Sequence, residues 1–197
     1  MHSRDANSEH ALGFLTVMEH AQHGLFGGYL LLNVAGRPLE FHCTTPIKAN
    51  RAQEILYGPT LQSFLYGEQI GQTLLDKAKT APCFVCTDQQ PALAVRQYVS
   101  APVALVLGEE EPPDDEAGQV WRVDAAHRGL AGPSGPGLLA FQLGRNRLAV
   151  PCDAEDDRQL VAERIARLPE SFAESFDLCE PFLRIREAIE EAQKAVR

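Results

Sequence analysis

The chain has 197 residues, of which 45% are hydrophobic and 23% are charged, and its formal net charge is −9. This length is sufficient for a domain with a real hydrophobic core, and the composition excludes disorder over most of the chain. Lysine and arginine are scattered along the sequence, so nucleic-acid binding, which usually needs a basic surface, is unsupported.

The sequence favours a cytoplasmic protein. No apolar run approaches the roughly 18 residues that a membrane-spanning helix needs, and the first residues do not resemble a secretory signal, so no membrane association is expected. The five cysteines are odd in number and irregularly spaced, which argues against a disulfide framework. Cys83 and Cys86 lie in a strand-like run and should face opposite sides, so we predict no metal site there.

Four regions follow from composition and patterning. We predict a flexible N-terminus at residues 1–10, a βββαββ core at 11–108, an acidic linker or loop at 109–117, and a hairpin plus two helices at 118–197, packed on the same domain. The linker contains EEEPPDDE, which supplies six acids without a compensating base. Its prolines stiffen the backbone, so a solvated connection is favoured over a calcium site.

The first half of the chain should begin with three strands. Gly13–Glu19 reads as the first, and a hairpin follows at Tyr29–Val34 and Pro38–Thr44, where a glycine between the two runs can supply a tight turn. One or two helical turns are expected at Asn50–Leu56. A longer helix is expected at about 60–79, with Thr60 as its N-cap.

The later elements are shorter strands and two helices. Residues 83–88, Ala92–Tyr98 and Val103–Leu107 read as extended stretches, and Leu138–Leu143 with Arg147–Val150 reads as a second hairpin. The first C-terminal helix should begin at Asp153, and the second should carry Pro181 in its first turn. The predicted fold is α+β, with a mainly antiparallel sheet, a packing helix at about 60–79, a second hairpin and two C-terminal helices.

Glu68 stands out in the long predicted helix. With α-helical periodicity the apolar face is formed by Leu61, Phe64, Leu65, Leu75 and Ala78. Glu68 falls in the middle of this face. A buried carboxylate needs a partner, so we expect Glu68 to be buried and to accept a hydrogen bond or an ion pair from Lys48, Arg51 or a backbone amide of the loop after the third strand.

One interpretation of the acids is catalytic. Glu19 ends the first strand, Asp88 ends the strand after the helix, and Glu68 lies between them. Over Gly13 to Asp88 this order resembles a ribonuclease H-like fold, although the first-strand acid there is usually an aspartate within the strand. The resemblance implies a metal-dependent phosphoryl-transfer hydrolase in which Glu19, Glu68 and Asp88 converge on Mg²⁺.

The other interpretation, which we favour, is a non-catalytic cytosolic module that binds a ligand or a protein, or regulates one. A sheet with a helix on one face is the general layout of profilin-like, PAS-like and roadblock-like modules. Tyr57, Phe64 and Tyr66 would be anchors of the binding surface, with Lys48 and Arg51 beside them. No cofactor is expected, and the partner is an unidentified protein or small molecule.

Overall fold

The computed structural model describes residues 10–108, 120–121, 137–169, 172 and 175–195. The predicted flexible N-terminus and acidic linker fall on residues 1–9 and 109–117, which lie outside the described residues. Within the described part of the chain, no helix is long and apolar enough to cross a membrane.

In the described part of the chain, eight strands form one mixed sheet in the order β3-β2-β1-β4-β5-β8-β7-β6. The strands are β1 Leu12–His20, β2 Gly24–Leu32, β3 Pro38–Cys43, β4 Phe84–Thr87, β5 Val103–Leu107, β6 Val120–Trp121, β7 Leu138–Leu143 and β8 Asn146–Pro151. Strand β4 runs parallel to β1 and to β5, and the other neighbours are antiparallel. The prediction of an α+β fold with a mainly antiparallel sheet is confirmed.

The helices lie on both faces of this sheet. Helix α1 is Arg51–Tyr57, and helix α2 consists of three consecutive segments, Leu61–Ser63, Phe64–Gln72 and Thr73–Lys77. A 3-10 segment at Gln90–Gln97 connects β4 to β5. The two predicted C-terminal helices are present as α3 Glu155–Ile165 and α4 Glu180–Ala195.

Two apolar cores result from the alternation of side chains along the strands. On one face, β1 contributes Leu15 and Val17, which pack with α2 and the 3-10 segment. On the other face, β1 contributes Leu12 and Phe14, which pack with α3 and α4. The sheet is therefore the middle layer of three.

The sequence prediction of a strand at Ala92–Tyr98 is wrong, because this region is the 3-10 segment Gln90–Gln97. Its buried residues are Ala92, Leu93 and Val95. The spacing of three residues from Ala92 to Val95 suits a 3-10 turn, in which side chains at i and i+3 align. A short apolar run does not distinguish this pattern from a buried strand.

Helix α2 contains an unusual central segment. Phe64–Gln72 is a π-helix, and its buried residues are Leu65, Tyr66, Gly67, Ile70 and Gly71. A Cβ atom on Gly67 would lie 2.7 Å from the Cβ of Ala94. The missing side chain therefore lets the 3-10 segment pack directly against the helix backbone.

Candidate functional site

The ends of β1 and β4 lie side by side, as the ribonuclease H-like resemblance implies. The two strands are parallel, with Leu15 opposite Thr87. Beyond the last pair of residues in this ladder, the Gln89 side chain forms hydrogen bonds with the backbone of β1 at Val17. Its Nε2 donates to Val17 O at 2.7 Å, and its Oε1 accepts from Val17 N at 2.9 Å. These bonds fix the chain next to Asp88 against β1.

Asp88 at this edge forms an ion pair with Arg186 of α4. The Asp88 side chain is 16% exposed and the Arg186 side chain is 36% exposed. Glu19, near the end of β1, is exposed. The positive charge of Arg186 thus compensates one of the two acids at the carboxyl ends of the strands.

Tyr66 of α2 is a helix residue whose pKa is affected by both acids. Burial raises the pKa of the Tyr66 hydroxyl, and the negative charges of Glu19 and Asp88 raise it further. The phenol is therefore neutral at physiological pH. Because Tyr66 is only 9% exposed, it belongs to the core and does not contribute to an outer binding surface.

The prediction that Glu68 is buried is wrong, because its side chain is exposed. Its Oε2 accepts a hydrogen bond from the Tyr98 hydroxyl at 2.9 Å. This hydrogen bond is the main reason that the pKa of Tyr98 is raised. The physical reason for the wrong prediction is the π-helix: its i to i+5 hydrogen bonds widen each turn, so the inward face differs from that of an α-helix.

The predicted cationic partners of Glu68 are engaged elsewhere. Lys48 Nζ donates to the carbonyl oxygen of Gln22. Arg51 donates to Glu54 at 2.9 Å within α1. The proposed ion pair of Glu68 with either residue is therefore also wrong.

The described residues contain no group of three or more His, Cys, Asp or Glu side chains that could hold a metal ion. Glu19, Glu68 and Asp88 are all among the described residues. They are therefore not brought together as the three-carboxylate metal site that the catalytic interpretation needs. The rings of His20 and His23 are 4.6 Å apart, but they form a pair without a third ligand in the described part of the chain.

Helix α1 lies on the surface of the fold. None of its seven residues is buried. Ile55 is 66% exposed and Leu56 is 82% exposed. Ala52, one turn before them, is exposed as well. We call Ala52, Ile55 and Leu56 the α1 stripe.

Local contacts hold α1 in its helical form. Asn50 Oδ1 accepts from Gln53 N at 2.9 Å, and Gln53 Oε1 accepts from Asn50 N at 3.0 Å, which makes a complete capping box. At the other end, the rings of Tyr57 and Phe64 stack with centroids 4.0 Å apart. Both rings are half-buried, so they join α1 to α2 and leave the α1 stripe free.

Sequence reasoning identified Tyr57 and Phe64 but missed Ile55 and Leu56. The signal was present, since Ala52, Ile55 and Leu56 recur at i, i+3 and i+4, the spacing of one helix face. In a sequence this spacing normally indicates a face turned to the core. Only the structure shows that this one faces solvent.

No family model matches this chain, and no curated protein matches it. Among solved structures, human ENDOV matches with 11% sequence identity over 93% of this chain and 86% of that chain. The TM-score of that match is 0.39. A likeness at this level carries no argument about the activity of this chain, so the functional conclusion depends on its own residues.

Proposed function

We propose that this protein is a non-catalytic, cytosolic protein-binding module that presents α1 as a short recognition helix. The observation that supports this most directly is the exposure of Ile55 and Leu56 on a helix that buries none of its residues. Large apolar side chains grouped on one exposed surface are typical of interaction sites.

The physical chemistry of a short helix supports the same proposal. Isolated helices shorter than about 12 residues are marginal in water and normally depend on packing of an apolar face. Helix α1 has seven residues, and its capping box stabilises only its first turn. Docking of the α1 stripe on a partner would supply the missing burial.

The partner we propose is a protein with an apolar groove that accepts one helix face. Helices bind in grooves through anchors at i, i+3, i+4 and i+7, and the α1 stripe supplies the first three of these positions. A second copy fits less well, because each copy carries a net charge of −9. In addition, a flat contact between two short helices would bury much less than the roughly 800 Å² per partner of a standard interface.

The placement of the acids favours binding over the alternative, a metal-dependent phosphoryl-transfer hydrolase. Glu68 points to solvent and accepts from Tyr98, while Asp88 is paired with Arg186. The alternative predicts that Mg²⁺ relieves repulsion among three carboxylates and raises the melting temperature. Our proposal predicts an unchanged melting temperature in millimolar Mg²⁺, and a clear rise would favour the hydrolase.

Site-specific photo-crosslinking tests the binding surface. A photoreactive amino acid replaces Leu56 in one variant and Glu190, exposed on α4, in a control. We expect a discrete crosslinked protein from position 56 in lysate of the source cell, absent from position 190 and lost when Ile55→Asp is added.

Stability measurements on Ile55→Asp separate binding from folding. Since Ile55 buries little within the chain, the substitution should change the free energy of unfolding by less than about 0.5 kcal/mol. Equal crosslinking from positions 56 and 190, or crosslinking that survives Ile55→Asp, would contradict the proposal.

A further inference from the structure

A second site lies away from α1, in a cleft of about 240 Å³ between the ends of β4 and β5 and the start of α4. In open sheets, ligands often bind outside the carboxyl ends of parallel strands, and β4 and β5 are parallel. The volume is below the usual 300–1,000 Å³ of ligand pockets. Only a small molecule would fit.

One wall of the cleft is apolar and incompletely covered. Val106 and Phe182 form its floor, with 6% and 2% exposure. Leu183 lines the cleft and is 56% exposed, in contrast to its neighbour Phe182. Gly108 also lines the cleft, and no atom of the described residues lies within 4 Å of the position of a Cβ there. Among the described residues, the cleft therefore offers open space beside apolar side chains.

The polar end of the cleft is formed by Asp88 and Arg186. A guanidinium group has five N–H donors. In the described part of the chain, Arg186 donates one of them, from Nη2, to Asp88 Oδ2. The remaining donors are available at a side chain that is 36% exposed. Since Asp88 orients the guanidinium group, Arg186 is positioned for a further acceptor.

We infer that this cleft binds a small monocarboxylate with an apolar body, its carboxylate on Arg186 and its body on Phe182 and Leu183. A carboxylate matches the planar, paired donors of arginine better than a neutral acceptor does. An amine is disfavoured, because it would approach the cationic Arg186. This site shares no residue with the α1 stripe, so it is independent of the proposed partner binding.

The test uses 3-phenylpropionate as the probe, with 3-phenylpropanamide and 2-phenylethylamine as matched neutral and cationic analogues. Binding to the full chain is measured by saturation-transfer NMR, with each probe titrated up to about 10 mM. This range detects a dissociation constant of about 1 mM. We expect binding of the carboxylate and at least about tenfold weaker binding of both analogues.

Variants assign the site. Arg186→Gln should weaken binding of 3-phenylpropionate at least about tenfold, and Leu183→Ala about threefold. Arg184→Gln is the matched control on the same helix, because Arg184 donates to the carbonyl oxygen of Gly36 and does not line the cleft. The affinity of Arg184→Gln for 3-phenylpropionate should equal that of the parent.

Asp88→Asn keeps Arg186 and removes the carboxylate that competes with the probe for it. The affinity of this variant for 3-phenylpropionate should equal or exceed that of the parent. This measurement tests the inference even if Arg186→Gln does not fold. Equal binding of the amide, no carboxylate binding up to about 10 mM, or an unchanged affinity in folded Arg186→Gln would overturn the inference.

Discussion

Glu40 connects the edge strand β3 to the loop that follows α2. Its Oε1 accepts from Thr80 N at 2.8 Å, and its Oε2 accepts from Lys79 N at 2.9 Å. His42 Nε2 lies 3.0 Å from the same Oε2. Burial alone would raise the pKa of Glu40, but the hydrogen bonds from Lys79, His42 and Thr80 outweigh it and lower the pKa to about 2.

The lowered pKa gives a stability effect with a definite sign. A carboxyl group with an unfolded pKa of 4.5 and a folded pKa of about 2 stabilises the fold when ionised. At about 1.4 kcal/mol per pKa unit, the gap corresponds to about 3 kcal/mol, and solvent screening reduces our expectation to about 2 kcal/mol. The contribution is present above pH 4.5 and is lost as the pH falls toward 2.

Urea unfolding of Glu40→Gln measures this contribution. We expect the variant to be about 2 kcal/mol less stable than the parent at neutral pH, with a difference that shrinks on acidification below the unfolded pKa. Glu54→Gln, on the exposed helix α1, is the control and should change stability by less than about 0.5 kcal/mol. A Glu40→Gln variant as stable as the parent, or a difference that does not vary with pH, would refute the reasoning.

Three further substitutions and one control test the interior of the fold by the same urea assay. Gly67→Ala places a Cβ 2.7 Å from that of Ala94 and should destabilise by about 1 to 3 kcal/mol. The control Gly108→Ala meets no atom of the described residues within 4 Å and should be neutral. Asp157 is 2% exposed and lies 2.6 Å from an arginine, so Asp157→Asn should destabilise by about 3 kcal/mol. The buried Tyr29 hydroxyl has no hydrogen-bond partner among the described residues, so Tyr29→Phe should be neutral or stabilising by up to about 1 kcal/mol. A variant less stable than the parent by more than about 1 kcal/mol would indicate that the hydroxyl has a partner.

Most of the fold could be predicted because its elements carry strong local signals. The hairpin of β2 and β3 turns at Gly36, whose φ of 72° suits glycine and strains most other residues. In α4, Phe182, Ile185 and Ile189 recur at helical spacing, and all three are buried. Turn residues and amphipathic periodicity are properties of short segments, so the sequence reveals them directly.

The position of Glu68 could not be predicted because it depends on a longer-range property. An α-helix has 3.6 residues per turn, but Phe64–Gln72 is a π-helix, in which the residues that share a face recur at a longer spacing. Gly67 and Gly71 in that segment both pack closely against Val95 of the 3-10 segment. Their packing is tertiary, so no local pattern shows it. The exposure of Ile55 and Leu56 was missed for a related reason. Helical spacing of apolar residues predicts an apolar face, but it does not show whether another part of the chain covers that face.

The carboxyl ends of β1 and β4 explain why the two interpretations of the acids lead to different chemistry. The resemblance implies a third carboxylate on α2, but the α2 residue whose pKa responds to Glu19 and Asp88 is the phenol of Tyr66, and α4 adds the guanidinium of Arg186 next to Asp88. A metal site needs concentrated negative charge, whereas Arg186 compensates one of the two acids at this edge and directs further donors toward the cleft. This partial compensation disfavours a divalent cation, and the arginine donors are the groups that the proposed carboxylate would use.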